Sequence, residues 1–194
     1  LKVYDWEELS IDNIEASTRS WISFDGLSVT SIQGDLQLSQ LNWRAGDKKL
    51  DPINNLALAY HWQNEGSSQK IMIDQFGFSW SGHRCDFGDI AIEKTSDLGL
   101  MSLERLDLNC IGRLAVSTGL LSEPLQQRLK VSMPAGTLDN IQVQLPWAKS
   151  APVSVMDEFK FEAQLNQVSM RAYEGAPSGS GIDGYIEASA KGGN

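Results

Sequence analysis

Leu56-Ala57-Leu58-Ala59-Tyr60-His61-Trp62, then Asn64-Glu65-Gly66-Ser67-Ser68, then Ile71, Ile73, Phe76, Phe78 and Trp80, is the stretch that sets the fold class. Leu56, Leu58, Tyr60 and Trp62 alternate with Ala57, Ala59 and His61, the period-two pattern of a strand with one face on a core and the other in water. The run 64–68 is a turn signal, so the stretch reads strand, turn, strand. The same pattern extends in both directions. Gly34–Trp43 carries Leu36, Leu38, Leu41 and Trp43 before a turn-like Ala45-Gly46-Asp47, and Ser20–Thr30 reads as a strand with Trp21, Phe24, Leu27 and Val29. Further strands are expected over Gly136–Pro146, Glu158–Met170 and Ile182–Ala190, with a small-residue loop at 175–181 between the last two.

Several runs change parity midway: Leu36/Leu38 to Leu41/Trp43, Ile71/Ile73 to Phe76/Phe78, and Leu165 to Val168/Met170. A one-residue slip turns every later side chain to the other face, so a continuous apolar face requires a bulge at each shift, and bulges bend a sheet. The other reading is that these are strand ends taken for continuous strands. Around 111–131 the pattern changes: Leu114, Leu120, Leu121, Leu125 and Leu129 fit a helical face, Ser122 before Glu123-Pro124 is a helix start, and Met133-Pro134 ends it. The expected fold is mainly β, a long, curved, groove-like antiparallel sheet with one helical insertion near residues 111–131. The meander occupies 1–110, the insertion 111–133, and 134–194 continue the same sheet. The start at Leu1 and the end at Lys191-Gly192-Gly193-Asn194 read as cuts in a larger protein.

Composition narrows the function. The 194 residues, 41% of them aliphatic, aromatic or cysteine, are enough to fold. A formal charge of −9 with no Lys/Arg cluster argues against nucleic acid as a partner. The two histidines and two cysteines have no close-spaced ligand partner of a zinc type, and no cofactor is expected. Cys85 and Cys110 flank a turn-like segment at 94–97, so a symmetric hairpin would set them opposite each other as a disulfide of an oxidising compartment; one bulge between them would leave two buried thiols instead. His83-Arg84-Cys85-Asp86 is the densest polar cluster, but adjacent strand residues point to opposite faces, which disfavours a Cys–His nucleophile. Asp86 with Asp89, or Asp157 with Glu158, read as a solvated strand face or turn before they read as an acid–base pair. Trp6, Trp21, Trp43, Trp62, Trp80 and Trp147 are spread across the strands, which favours structural use over a converging stacking site. The chain is therefore not expected to be an enzyme.

From Ser117 onward the order of motifs is more specific. A leucine-rich segment Leu121–Leu129 is followed by Pro134-Ala135-Gly136-Thr137-Leu138, then Phe161-Glu162-Ala163-Gln164-Leu165, then Gly175-Ala176-Pro177 and Gly181-Ile182-Asp183-Gly184-Tyr185. This order resembles the YhdP branch of the AsmA-like proteins, and Gly34–Leu38 through Trp43 and Leu106–Leu108 are compatible with it. The resemblance implies a large protein anchored in the inner membrane of a Gram-negative bacterium. Its periplasmic β-sheet would form a long groove linked to phospholipid movement toward the outer membrane, with no catalytic residues. An antiparallel sheet with one apolar face must cover that face with something apolar, and phospholipid acyl chains would serve. Candidate groove-lining residues are Leu36, Leu38, Ile71, Ile73, Phe78, Ile141, Val143, Phe159, Phe161 and Leu165, each of which has plain core packing as its other reading. The expected partners are those acyl chains and the rest of the parent chain, with exposed sheet edges inviting self-association of the isolated segment. The rival function is a β-sandwich module that binds glycan or protein through loops or tryptophan rims.

Overall fold

The computed structural model describes residues 9–95, 98–119, 121–146, 159–189 and 192–193. In chain order these form β1 (Leu9–Asp25), β2 (Ser28–Ala45), the two-residue β3 (Lys48–Lys49), β4 (Ile53–Asn64), β5 (Gln69–Trp80), β6 (His83–Lys94) and β7 (Leu98–Asp107). Then come α1 (Leu108–Thr118), α2 (Glu123–Ser132), β8 (Ala135–Pro146), β9 (Lys160–Met170), β10 (Gly179–Ser189) and β11 (Gly192–Gly193). All strands lie in one open, curved antiparallel sheet of order β1-β2-β4-β5-β6-β7-β8-β9-β10-β11, with β3 paired to β2. Apart from the two-residue β3, strands consecutive in the chain are neighbours in the sheet. β7 and β8 pair directly across the helical insertion, from Leu98↔Pro146 to Asp107↔Thr137.

At the first turn the structure differs from the sequence reading. Ser20–Thr30 is a hairpin and not a strand: β1 ends at Asp25, Gly26 takes φ 59° in the turn, and Leu27 at the tip is fully exposed. Asp-Gly is a strong hairpin signal, and here it outweighs the apolar alternation around it.

The parity shifts are bulges. Asn55, Gln75, Asn140 and Gln167 adopt φ between 51° and 55°, one each in β4, β5, β8 and β9. Register shifts flank Gln75 between Ile73↔Ile90 and Phe76↔Gly88, and in the β8–β9 pair between Asp139↔Gln164 and Gln142↔Glu162. A left-handed residue costs energy unless its surroundings hold it, and two of these are held alike. The Gln75 amide donates to Asp89 Oδ1 at 2.9 Å, and the Gln167 amide donates to Asp183 Oδ1 at 2.7 Å. Asp86 accepts from the Gly88 amide at 3.3 Å. Asp86 and Asp89 thus brace the bend of the sheet; Asp157 and Glu158 lie outside the described residues.

The insertion comprises two helices. Asp107 caps α1, its carboxylate accepting from the Cys110 amide at 2.9 Å, and Gly119 ends it in the left-handed region. Ser122 and Pro124 start α2, which closes at Met133. The break at Gly119 divides what the leucine spacing reads as one face; Leu120 lies outside the described residues. α1 lies over one end of the sheet, where Phe78, Trp80, Cys85, Phe87 and Cys110 are buried against Leu106, Ile111 and Leu114. The Phe76, Phe78 and Phe87 rings meet at centroid separations of 5.1–5.9 Å.

Cys85 and Cys110 are joined, with Cα atoms 5.9 Å apart, but not as a cross-strand pair of a hairpin. β6 and β7 pair as Ile90↔Leu103, Cys85 faces Phe78 of β5, and Cys110 sits in the first turn of α1. The bond ties helix to sheet.

Candidate functional site

Directly paired residues of neighbouring strands share a face, so the register identifies what lines each side. One rung crosses nine strands: Ile22, Ile32, Trp62, Ile71, Ile92, Met101, Val143, Phe161 and Ala188, each paired with the next. Every member is apolar. The adjacent rung on the opposite face runs Trp21, Gln33, His61, Met72, Ala91, Ser102, Gln142, Glu162 and Glu187. Eight interstrand steps of about 4.8 Å give the apolar rung a length of roughly 40 Å.

Next to it, Tyr60↔Ile73↔Ile90↔Leu103↔Ile141 continues the apolar face toward the helices. Cover changes along the strands. Under α1, Phe78, Trp80, Cys85 and Phe87 are at most 7% exposed, whereas Ile71, Ile92 and Met101 at the other end are 37–38% exposed although they lie in the middle of the sheet. No second sheet faces them among the described residues. Here is a strip of apolar side chains in water, the pattern that marks a binding surface.

The opposite face is charged and self-paired. Arg105 donates to Asp139 at 3.0 Å, and Asn166 and Thr137 also donate to that carboxylate. Burial pushes Asp139 up, but the hydrogen bonds from Arg105 and Asn166 outweigh it, so its carboxyl titrates below its ordinary range. A hollow of about 700 Å³ on this face is lined by Asp35, Asp74, Asp86 and Glu104 with Arg84 and Arg105. Its acidic lining suits neither an acyl chain nor a phosphate.

A family model described as YhdP protein matches residues 1–194. The chain belongs to the YhdP family. No curated protein and no solved structure matches it.

In this YhdP-family chain, nine of the ten candidate groove-lining residues sit on the apolar face: Leu36 and Leu38 on β2, Ile71, Ile73 and Phe78 on β5, Ile141 and Val143 on β8, and Phe161 and Leu165 on β9. Phe159 precedes β9, half-buried. They are not equally available. Phe78 is 5% exposed beneath α1 and belongs to the helix-covered core, and Leu38 and Ile141 are also buried. Ile92 and Met101, the more open positions, were missed by sequence reasoning, although the alternation Ile90, Ile92 carries the signal. Of the described tryptophans, Trp43, Trp62 and Trp80 lie on the apolar face of three different strands and Trp21 on the other, so they form no stacking platform. Trp6 and Trp147 lie outside the described residues. His83 and Cys85, two apart on β6, share a face; what removes Cys85 from thiol chemistry is its disulfide, and His83 Nε2 lies 2.6 Å from Arg113 Nη1. Among the described residues no three His, Cys, Asp or Glu side chains are grouped to hold a metal, and no helix is long and apolar enough to cross a membrane.

Proposed function

We propose that this chain is a wall segment of a lipid conduit, its apolar face receiving phospholipid acyl chains and handing them along the sheet without catalysis or a cofactor. The observation that carries this reading is the apolar rung from Ile22 to Ala188, which crosses nine strands and stays more than a third exposed at Ile71, Ile92 and Met101. Its direction matters. The rung runs across the strands, so adding strands at either edge lengthens it, which suits transport along a sheet better than storage in a closed pocket. Each fully buried methylene gains about 0.8 kcal/mol, and an acyl chain laid on the strip would replace water over the side chains that now face it. Membership of the YhdP family supports placing the segment in the periplasm as part of a protein anchored in the inner membrane and engaged in outer-membrane lipid homeostasis.

The sandwich alternative requires a second sheet over this face, and the described strands form one. A photo-reactive side chain at Ile92 or Met101 is expected to cross-link to phospholipid, and one at Ala91 or Ser102, on the opposite face, is not. Equal labelling of both faces, or of neither, would remove the support for the reading.

A further inference from the structure

α1 has two working faces. Cys110, Ile111 and Leu114 pack on the Phe78–Phe87 cluster of the sheet. Asn109, Gly112, Arg113 and Val116, spaced at helical turns on another side, line a cleft of about 340 Å³ whose second wall is Leu129, Lys130, Met133 and Pro134. Its volume falls in the roughly 300–1,000 Å³ range of small-molecule sites. Val116, Leu129, Met133 and Pro134 give it apolar walls, and Met133 is 52% exposed. Arg113 and Lys130 are the only charged residues of the lining, in a chain that carries 25 acidic and 16 basic side chains. Neither has a carboxylate partner among the described residues, and Arg113 meets only His83. A smaller hollow of about 90 Å³ shares Asn109 and Arg113 with the cleft. Trp80 also lines it, and the buried Trp80 indole N–H has no hydrogen-bond partner among the described residues. The one acid there, Asp107, is engaged as the cap of α1. Around Arg113, donors therefore outnumber acceptors.

We infer that the α1–α2 cleft binds a phospholipid of net negative charge, its phosphate between Arg113 and Lys130 and the first carbons of an acyl chain on Val116, Leu129 and Met133. Two cations without an acid favour an anion. The apolar walls favour one that brings its own apolar part, since a bare anion would lose water there without gaining contacts. A zwitterionic head would bring an ammonium group to a lining with no carboxylate to receive it, so the cleft selects by charge. Lys130 also complements the carbonyl end of α2 from its last turn, a role that would move stability and not binding. The site is distinct from the open strip. Pro134 precedes β8, whereas Met101 pairs with Val143 toward the far end of that strand, roughly 30 Å away at ~3.3 Å per residue. The inference therefore stands apart from the conduit reading. Both cations are exposed, so binding is reversible and weakens with salt, and titration reads it where co-purification does not.

NMR of isotope-labelled methionine methyl groups tests it, because Met133 lies in the cleft and Met101 on the strip. Met133→Leu and Met101→Leu assign the two resonances. Dihexanoyl-phosphatidylglycerol, kept below its micelle concentration, is expected to shift Met133 saturably and to bind about tenfold more tightly than dihexanoyl-phosphatidylcholine or inorganic phosphate. Asn109→Asp adds a carboxylate to the lining, in a first helical turn that tolerates acids, and should weaken binding about tenfold with circular dichroism unchanged. Lys130→Gln should do the same, and Lys130→Arg should not. A Met133 signal that does not move overturns the inference. So does one that answers equally to the zwitterionic lipid or to phosphate alone, or that ignores Asn109→Asp and Lys130→Gln. A response at Met133 with none at Met101 would leave this inference standing and remove support for the strip; the reverse would overturn it and leave the conduit reading in place.

Discussion

Removing the disulfide by Cys85→Ala/Cys110→Ala isolates what holds the helices on the sheet. The bond closes a loop of sequence separation 25, and chain entropy assigns such a closure about 3.5 kcal/mol. Alanine is the right replacement because Cys85 is fully buried, and serine would add an unpartnered hydroxyl there. For a chain of this size each kcal/mol lowers Tm by about 2–4 °C, so thermal unfolding followed by circular dichroism should shift down by about 7–14 °C. The unfolding should lose cooperativity as well, because α1 would then be held on the sheet by non-covalent contacts alone, chiefly Ile111 and Leu114 against the Phe78–Phe87 cluster and Arg113 beside His83. A dye that reports exposed apolar surface should bind the variant below its Tm as Phe78 and Phe87 become accessible. A fall of less than about 3 °C, corresponding to about 1 kcal/mol, would refute the reasoning. It would mean that packing alone fixes α1 and that the covered end of the strip does not depend on the bond.

Three further substitutions separate core from strip and one charge from its background. Phe87→Ala, whose ring is 7% exposed between Phe76 and Phe78, should lose about 3–5 kcal/mol in urea unfolding, whereas Met101→Ala on the open strip should lose under about 1 kcal/mol; similar losses would contradict the assignment of cover. Asp139 ionises more readily in the fold than in the unfolded chain, so it contributes stability above the ordinary carboxylate range, and that contribution disappears as the pH falls through its depressed folded value. Asp139→Asn should therefore cost up to about 1 kcal/mol at neutral pH, a modest amount because Arg105 is half exposed. The deficit should vanish in acid, and one that is the same at pH 7 and pH 3 would speak against the pairing.

The sheet was legible because its apolar residues keep a period of two, and the bulges because that period breaks by one residue at Gln75 and Gln167. The Ser20–Thr30 hairpin was not, since Leu27 extends the apolar alternation through a turn that Asp25-Gly26 alone announces. The cysteines were paired on the assumption of a symmetric hairpin; the helix that receives Cys110 begins at Leu108, earlier than the leucine spacing indicates, and carries that residue out of register with β6. Residue type also cannot separate covered from uncovered positions on one face. Phe78 and Ile71 sit on the same strand and face, and only the position of α1 makes the first core and the second open surface.

The central claim, that the open end of the apolar face holds lipid, is tested most directly by native mass spectrometry of the gently purified chain, with lipid extraction of the same sample. Phospholipid is expected on the wild type and on Gln142→Glu, which changes only the opposite face. It should be lost from Met101→Glu while circular dichroism and Tm stay native. A lipid-free wild type, or a Met101→Glu variant that retains as much phospholipid as the wild type, would contradict it.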